Sequence, residues 1–203
     1  MSKRYVLAAG IGTLACAVSF GAGSANADNV ADAIQTCAAC HGEDGIPADK
    51  TFPIVHGQNR AYILNQLHDF KSGRRKNEIM AGIVAELTNS DMQALARHFA
   101  KQQWPANASE PQPADAKKAG AALLEQLNCG GCHHDKYTGD TQRPRLAGQN
   151  AEYLLKTLTE FRDKTRGNFI TMSAILNGLT DEELKSRSDY LASLPPPVAA
   201  AAK

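Results

Sequence analysis

Cys37-Ala38-Ala39-Cys40-His41 and Cys129-Gly130-Gly131-Cys132-His133 are two copies of one pattern, Cys-x-x-Cys-His. The pattern reads as a haem attachment site: the two thiols add across the haem vinyl groups, and the adjacent His supplies an axial nitrogen to the iron. Zinc also uses Cys-x-x-Cys pairs, but here the pairs lie some ninety residues apart, one in each copy. A thioredoxin-like redox pair calls for a preceding strand, whereas helical patterns precede both motifs. A disulfide within each pair is conceivable; the neighbouring His and the repetition favour haem. Cys37, Cys40, Cys129 and Cys132 are therefore candidates for covalent attachment of two haem c groups, with His41 and His133 as proximal iron ligands.

The repetition extends well beyond the motifs. Phe52-Pro53-Ile54-Val55-His56-Gly57-Gln58-Asn59 aligns with Arg143-Pro144-Arg145-Leu146-Ala147-Gly148-Gln149-Asn150. Tyr62, Leu67 and Phe70 align with Tyr153, Leu158 and Phe161, and Leu87-Thr88 with Leu179-Thr180. The offset is 91 or 92 throughout, the period of a whole small domain. Residues 28–104 and 115–195 are expected to form two tandem domains. A proline-rich linker, 105–114, joins them, and 196–203 form a tail.

Each half reads as all-α, with no alternating strand pattern. Val30, Ala33, Ile34 and Cys37 recur at helical spacing, and Ala116 to Asn128 does the same into the second motif. A middle helix follows each Gly-Gln-Asn, with Gly73 as its stop in the first copy. A last helix starts at Thr88 or Thr180. Thr180-Asp181-Glu182-Glu183 is a capping box, and Thr88-Asn89-Ser90-Asp91 a weaker version. Its buried stripes are Met92, Leu95, Ala96 and Phe99, then Leu184, Ser188 and Leu191. Domains this small, with few aromatics, need a staple, and a covalent haem serves as part of the core.

Met80 follows His41 by 39 residues, and Met172 follows His133 by 39. A methionine opposite the His gives the ligation of electron-transfer cytochromes. The matched interval, between two helices rather than on a stripe, assigns Met80 and Met172 as the second axial ligands. His56, His68 and His98 face Ala147, Thr159 and Tyr190, so they fail the repeat test and read as surface or half-buried groups. Met92 faces Leu184 and reads as core, and His134 is expected to face solvent. Pro53 and Pro144 admit two readings: plain turn chemistry, or a carbonyl that fixes the proximal His tautomer. Arg74, Arg75, Lys76 and Arg162, Lys164, Arg166 are either solvated faces or partners for haem carboxylates or a docking protein.

Residues 1–27 read as a secretory signal peptide. Met1-Ser2-Lys3-Arg4 is basic, Val6 to Phe20 is apolar, and Ala25-Asn26-Ala27 offers a cleavage site before Asp28. Cys16 is either discarded with it or, through an imperfect lipobox, a lipidated residue. Export implies a periplasmic, oxidising location. Lys plus Arg number 22 and Asp plus Glu 21. With Lys3 and Arg4 in the leader, the mature chain is one charge below neutral, which argues against nucleic acid.

These residues resemble the dihaem cytochrome c4 family, two class I c-type cytochrome domains in tandem. The resemblance rests on the two Cys-x-x-Cys-His motifs, Pro53 to Gln58 and Pro144 to Gln149, the Tyr, Leu and Phe stripes, and Met80 with Met172. His56, where the second copy has Ala147, departs from the commoner residue. The resemblance implies two all-α domains about a pseudo-twofold axis, with the haems near the interface. It also implies electron transfer between a quinol–cytochrome c oxidoreductase and a haem–copper terminal oxidase, often loosely at the membrane. The chain is thus expected to be an outer-sphere electron carrier and not an enzyme. Alternatives are a cytochrome subunit of a periplasmic dehydrogenase and, less favoured because both irons are closed, a dihaem peroxidase.

Overall fold

The computed structural model describes residues 27–106 and 111–195. Residues 1–26, which include Cys16 and all but the last residue of the expected leader 1–27, lie outside the described residues, as do linker residues 107–110 and the tail 196–203. Within them the chain is all-helical, with no strand. The first half contains α1 (Ala27–His41), α2 (Arg60–Lys71), α3 (Glu78–Val84) and α4 (Asn89–Lys101). The second contains α5 (Ala114–Gln126), α6 (Cys129–His133), α7 (Ala151–Arg162), α8 (Ile170–Leu176) and α9 (Asp181–Ser193). None of these helices is long and apolar enough to cross a membrane.

The apolar stripes find one another as their spacing predicts. α4 packs on α1 and α2, and α9 packs on α5 and α7. Met92, Leu95, Ala96 and Phe99 join Ile63, Leu67, Phe70 and Val84 in one buried cluster. Leu184 and Leu191 are buried in two clusters of the second half. Thr88 and Thr180 both close full capping boxes, with Asp91 and Glu183 returning to the cap backbone. Asp91 thus serves as well as a Glu, so the first box is not weaker in form.

Three local features differ from the sequence reading. The helix expected from Ala116 through Asn128 ends at Gln126. Asn128 turns left-handed (φ 50°), and the motif occupies its own short helix, α6. Asn is among the few residues that accept this conformation. Secondly, Met80 and Met172 lie on short helices, α3 and α8, rather than in bare connections. Thirdly, Trp104 and Pro105 are buried. Trp104 packs on Ile54, and the Arg145 guanidinium lies 5.1 Å above its ring, so the first residues after α4 belong to the packed body.

Candidate haem-binding cleft

Each proximal-type histidine is held by a proline carbonyl from the loop behind it. His41 Nδ1 lies 2.8 Å from Pro53 O, and His133 Nδ1 lies 3.1 Å from Pro144 O. A carbonyl only accepts, so Nδ1 carries the proton and Nε2 keeps its lone pair. Burial lowers the pKa of both imidazoles, and the carbonyl bonds work against that shift. The rings are thus presented neutral, as metal ligation requires. Of the two readings of Pro53 and Pro144, the structure bears out the carbonyl acceptor.

His41, Met80, His133 and Met172 all line one cavity of about 970 Å³ between the halves, together with Cys129 and Cys132. Cys37 packs instead against the first core cluster, and Cys40 is exposed. Burial, with Cys40 adding, pushes the Cys37 thiol up to about 11; burial also raises that of Cys129. Such sites disfavour thiolates and suit neutral thioethers. Among the described residues, no three His, Cys, Asp or Glu side chains converge as a metal site. The four sulfurs are therefore not gathered as a zinc site would gather them.

A haem would bring a large apolar plate and two carboxylates. The cavity walls include Ile63, Leu67, Phe70, Leu154, Leu158 and Phe161. Arg145 Nε, Arg166 Nη1 and Arg187 Nε, on cavity-lining residues, are buried without a hydrogen-bond partner. Buried guanidinium groups with unused donors match carboxylates. The residues present fit the group.

The halves meet through a pseudo-twofold exchange of hydrogen bonds. Gln149 accepts from Ile54 N at 2.8 Å and donates to Ile54 O at 3.0 Å. Gln58 does the same to Arg145, the position equivalent to Ile54, at 2.8 and 3.0 Å. Asn150 Nδ2 donates to Phe52 O, and Asn59 Nδ2 to Arg143 O, both at 2.7 Å. Arg75 donates to the Tyr153 hydroxyl and Arg166 to that of Tyr62. Burial opposes ionisation of Tyr153, yet Arg75 and Arg166 outweigh it and hold the phenol below its ordinary range. Gln149→Ala strands the Ile54 amide, a residue only 1% exposed. Each buried group left unpaired costs roughly 1–3 kcal/mol. The Ile54 carbonyl and the Asn150 amide lose Gln149 as well, so the expected loss, read by chemical denaturation of the haem-loaded protein, reaches or exceeds the top of that range.

Several expectations change here. Arg75 and Arg166 are buried rather than solvated, each stacked on a Phe, at 4.6 Å from Phe70 and 4.3 Å from Phe161. Arg74 binds Asp69, and Arg162 binds Asp163 and Asp181. His56 is buried against Phe99, not half-exposed; His68 and His98 are intermediate, and His134 is exposed. The interdomain role of Gln58, Gln149, Asn59 and Asn150 was missed. The available signal was a pair of amides repeated at the start of both middle helices, where turn chemistry alone does not need them.

Comparisons with known proteins agree with this geometry. The cytochrome c family profile matches residues 117–195. Cytochrome c4 of Pseudomonas aeruginosa is 34% identical over 167 residues, covering 78% of this chain and 83% of that protein. A thiosulfate dehydrogenase electron acceptor of Stutzerimonas stutzeri is 33% identical, covering 80% of each. The structure of Acidithiobacillus ferrooxidans cytochrome c4 superposes with a TM-score of 0.72 at 31% identity, covering 79% of this chain and 99% of that one.

Proposed function

The chain belongs to the cytochrome c4 family, electron-transfer proteins with two covalently bound haem c groups, and from that premise we propose which residues hold each haem and where the electrons go. Cys37 and Cys40 bind the first haem covalently, with His41 and Met80 as axial ligands. Cys129 and Cys132 bind the second, with His133 and Met172. The observation that carries this reading is the repeated pairing of a carbonyl-fixed His with a Met, both pairs lining one cavity. The domains run from 28 to 104 and from 115 to 195; of the segment 105–114 between them, Pro105 is buried, as Trp104 is, and Ala114 opens α5, and the tail follows 195.

Bound haem supplies a one-electron couple. Pro53 and Pro144 hold each imidazole in the tautomer that offers Nε2. Met80 and Met172 would supply the second protein ligand to each iron, which would leave no position for water or a small substrate. The partly unpaired guanidinium groups of Arg145, Arg166 and Arg187 take up haem carboxylates. With these side chains set on packed helices, little structural change accompanies electron uptake.

We read the mature protein as periplasmic, with the leader removed near Ala27-Asp28. Its route runs from a quinol–cytochrome c oxidoreductase to a haem–copper terminal oxidase through small transient contacts. A second reading, a dedicated acceptor for a periplasmic dehydrogenase, is favoured by the similarity to a thiosulfate dehydrogenase electron acceptor. Reduction by a purified thiosulfate dehydrogenase, compared with reduction by a quinol-oxidising complex, separates the two.

The ligand assignment is tested by the optical spectrum with a haem count. Two haems per chain are expected, with the weak red charge-transfer band of ferric iron bound by Met sulfur. Met80→Ala and Met172→Ala should each remove one contribution to that band. A band unchanged in both variants overturns the assignment.

A further inference from the structure

The duplication breaks at one point, beside the second methionine. Three positions separate Asn77 from Met80, but four separate Asn168 from Met172. In the first half Asn77 is the N-cap of α3, and its side chain accepts from Met80 N at 2.9 Å. The Asn77 carbonyl also accepts from Ala81 N at 2.8 Å. The Met80 turn is thus pinned within its own half.

The extra residue changes this in the second half. The N-cap of α8 is Phe169, which has no side-chain group to cap with. Asn168, displaced from the cap, reaches across the interface instead. Its Nδ2 donates to Asp69 Oδ2 at 2.7 Å and to Gln66 Oε1 at 3.2 Å. Its Oδ1 accepts from Arg166 Nε at 3.0 Å. Asp69 is itself fixed by Arg74 Nε at 2.8 Å. Gln66 Oε1 also accepts from Arg75 and Arg166, so one amide oxygen gathers donors from both halves. Asp69 is 7% exposed, and bonds made there are shielded from competing water. Thr157 and Glu160 stand where a mirror copy would need Gln66 and Asp69, so the arrangement exists once.

We infer that Gln66 and Asp69 are positioning residues for Met172, holding its turn from the opposite half through Asn168, whereas Met80 is held by its own cap. The inference rests on the assignment of Met172 as an axial ligand. Its consequence is an asymmetry of control. Met172 N donates to Phe169 O at 3.1 Å within its own half, so a displacement of one half against the other reaches this turn through Asn168, whereas the Met80 turn has no such anchor in the opposite half among the described residues.

The test uses ferric protein loaded with both haems and titrated with imidazole, which competes with methionine for the iron. Displacement is followed at each site by the shifted methionine methyl NMR signals, assigned with Met80→Ala and Met172→Ala. Gln66→Ala and Asn168→Ala are expected to lower the imidazole concentration needed at the second haem by on the order of tenfold. Asn77→Ala should do this at the first haem and leave the second unmoved. Gln66→Glu, which keeps the acceptor oxygen, should restore resistance at the second haem. Asp69→Ala, which removes the acceptor for Asn168 Nδ2, serves where Gln66→Ala does not load both haems, with the same expectation. An unchanged titration at the second haem in these domain-crossing variants overturns the coupling. If Met172→Ala leaves both methyl signals in place, the ligand assignment falls and the coupling with it. If it removes one signal but Gln66→Ala moves nothing at that haem, only the coupling falls.

Discussion

Replacing Cys37 and Cys40 together by serine is expected to yield a chain that carries one haem and has lost its N-terminal helical packing. The first half is a domain of under ninety residues whose main buried cluster has eight side chains, beside the smaller Ile54–Trp104 pair. Domains of that size hold a small margin, and a covalent core group acts as their staple. The cavity between the halves measures about 970 Å³. At ~24 cal/mol per Å³, emptying half of it corresponds to roughly 12 kcal/mol. Water entering the space makes that an upper bound, but it is comparable with the ~5–15 kcal/mol of a whole native domain. Haem stoichiometry and far-ultraviolet circular dichroism check the result. The second half should weaken as well, because Gln149 and Asn150 lose Ile54 and Phe52 as partners. Two haems in the double variant, or unchanged helix content, contradict the expectation.

Gly139→Ala is expected to damage the second site severely without touching any proposed ligand. Gly139 has φ +66°, and its N–H donates to His133 O at 3.0 Å. An added Cβ would lie 2.5 Å from Pro144 O and closer still to Arg143 O. Both obstacles are backbone atoms, so no side chain can swing aside. Pro144 O is the acceptor that fixes His133, and Arg143 O is the acceptor for Asn59 across the interface. Relief of the clash therefore moves the imidazole, the interface, or both. A left-handed conformation forced on Ala adds about 1 kcal/mol, and the backbone displacement should carry the total beyond about 3 kcal/mol. Two readings check this: a lowered denaturation midpoint, and a shift in the potential of the second haem larger than in the first. A variant as stable as the native protein, with both potentials intact, would show that this loop yields cheaply.

The helices and their buried faces were legible because they depend on short-range periodicity. The stripe Met92, Leu95, Ala96, Phe99 is buried as its spacing predicts. So are Leu184, Ser188 and Leu191. Both capping boxes follow from four consecutive residues. The break before the second motif was not legible. Asn128 is compatible with continuing a helix and with a left-handed turn, and the surrounding packing selects the turn. The left-handed position closing the middle helix shows the same ambiguity. Gly73 announces it, while Lys164, with φ 61°, does not.

By itself the sequence determined that this chain is a tandem duplication of helical units, each with a Cys-x-x-Cys-His motif and a Met 39 residues beyond the His. Those features are covalent order and local spacing, and no distant contact can alter them. Only the tertiary structure decided where the repeated polar residues spend their hydrogen bonds. Gln58 and Gln149, which accept from Asn59 N and Asn150 N, could have bonded only within their own halves, and Arg75 and Arg166 could have stayed in water. Instead, each crosses to the other half and is buried there. Asn77 and Asn168, identical residues at repeated positions, part ways: the first caps its own helix and the second crosses to Asp69. A polar side chain takes the partner that folding brings within about 3 Å, and one inserted residue is enough to change which partner that is.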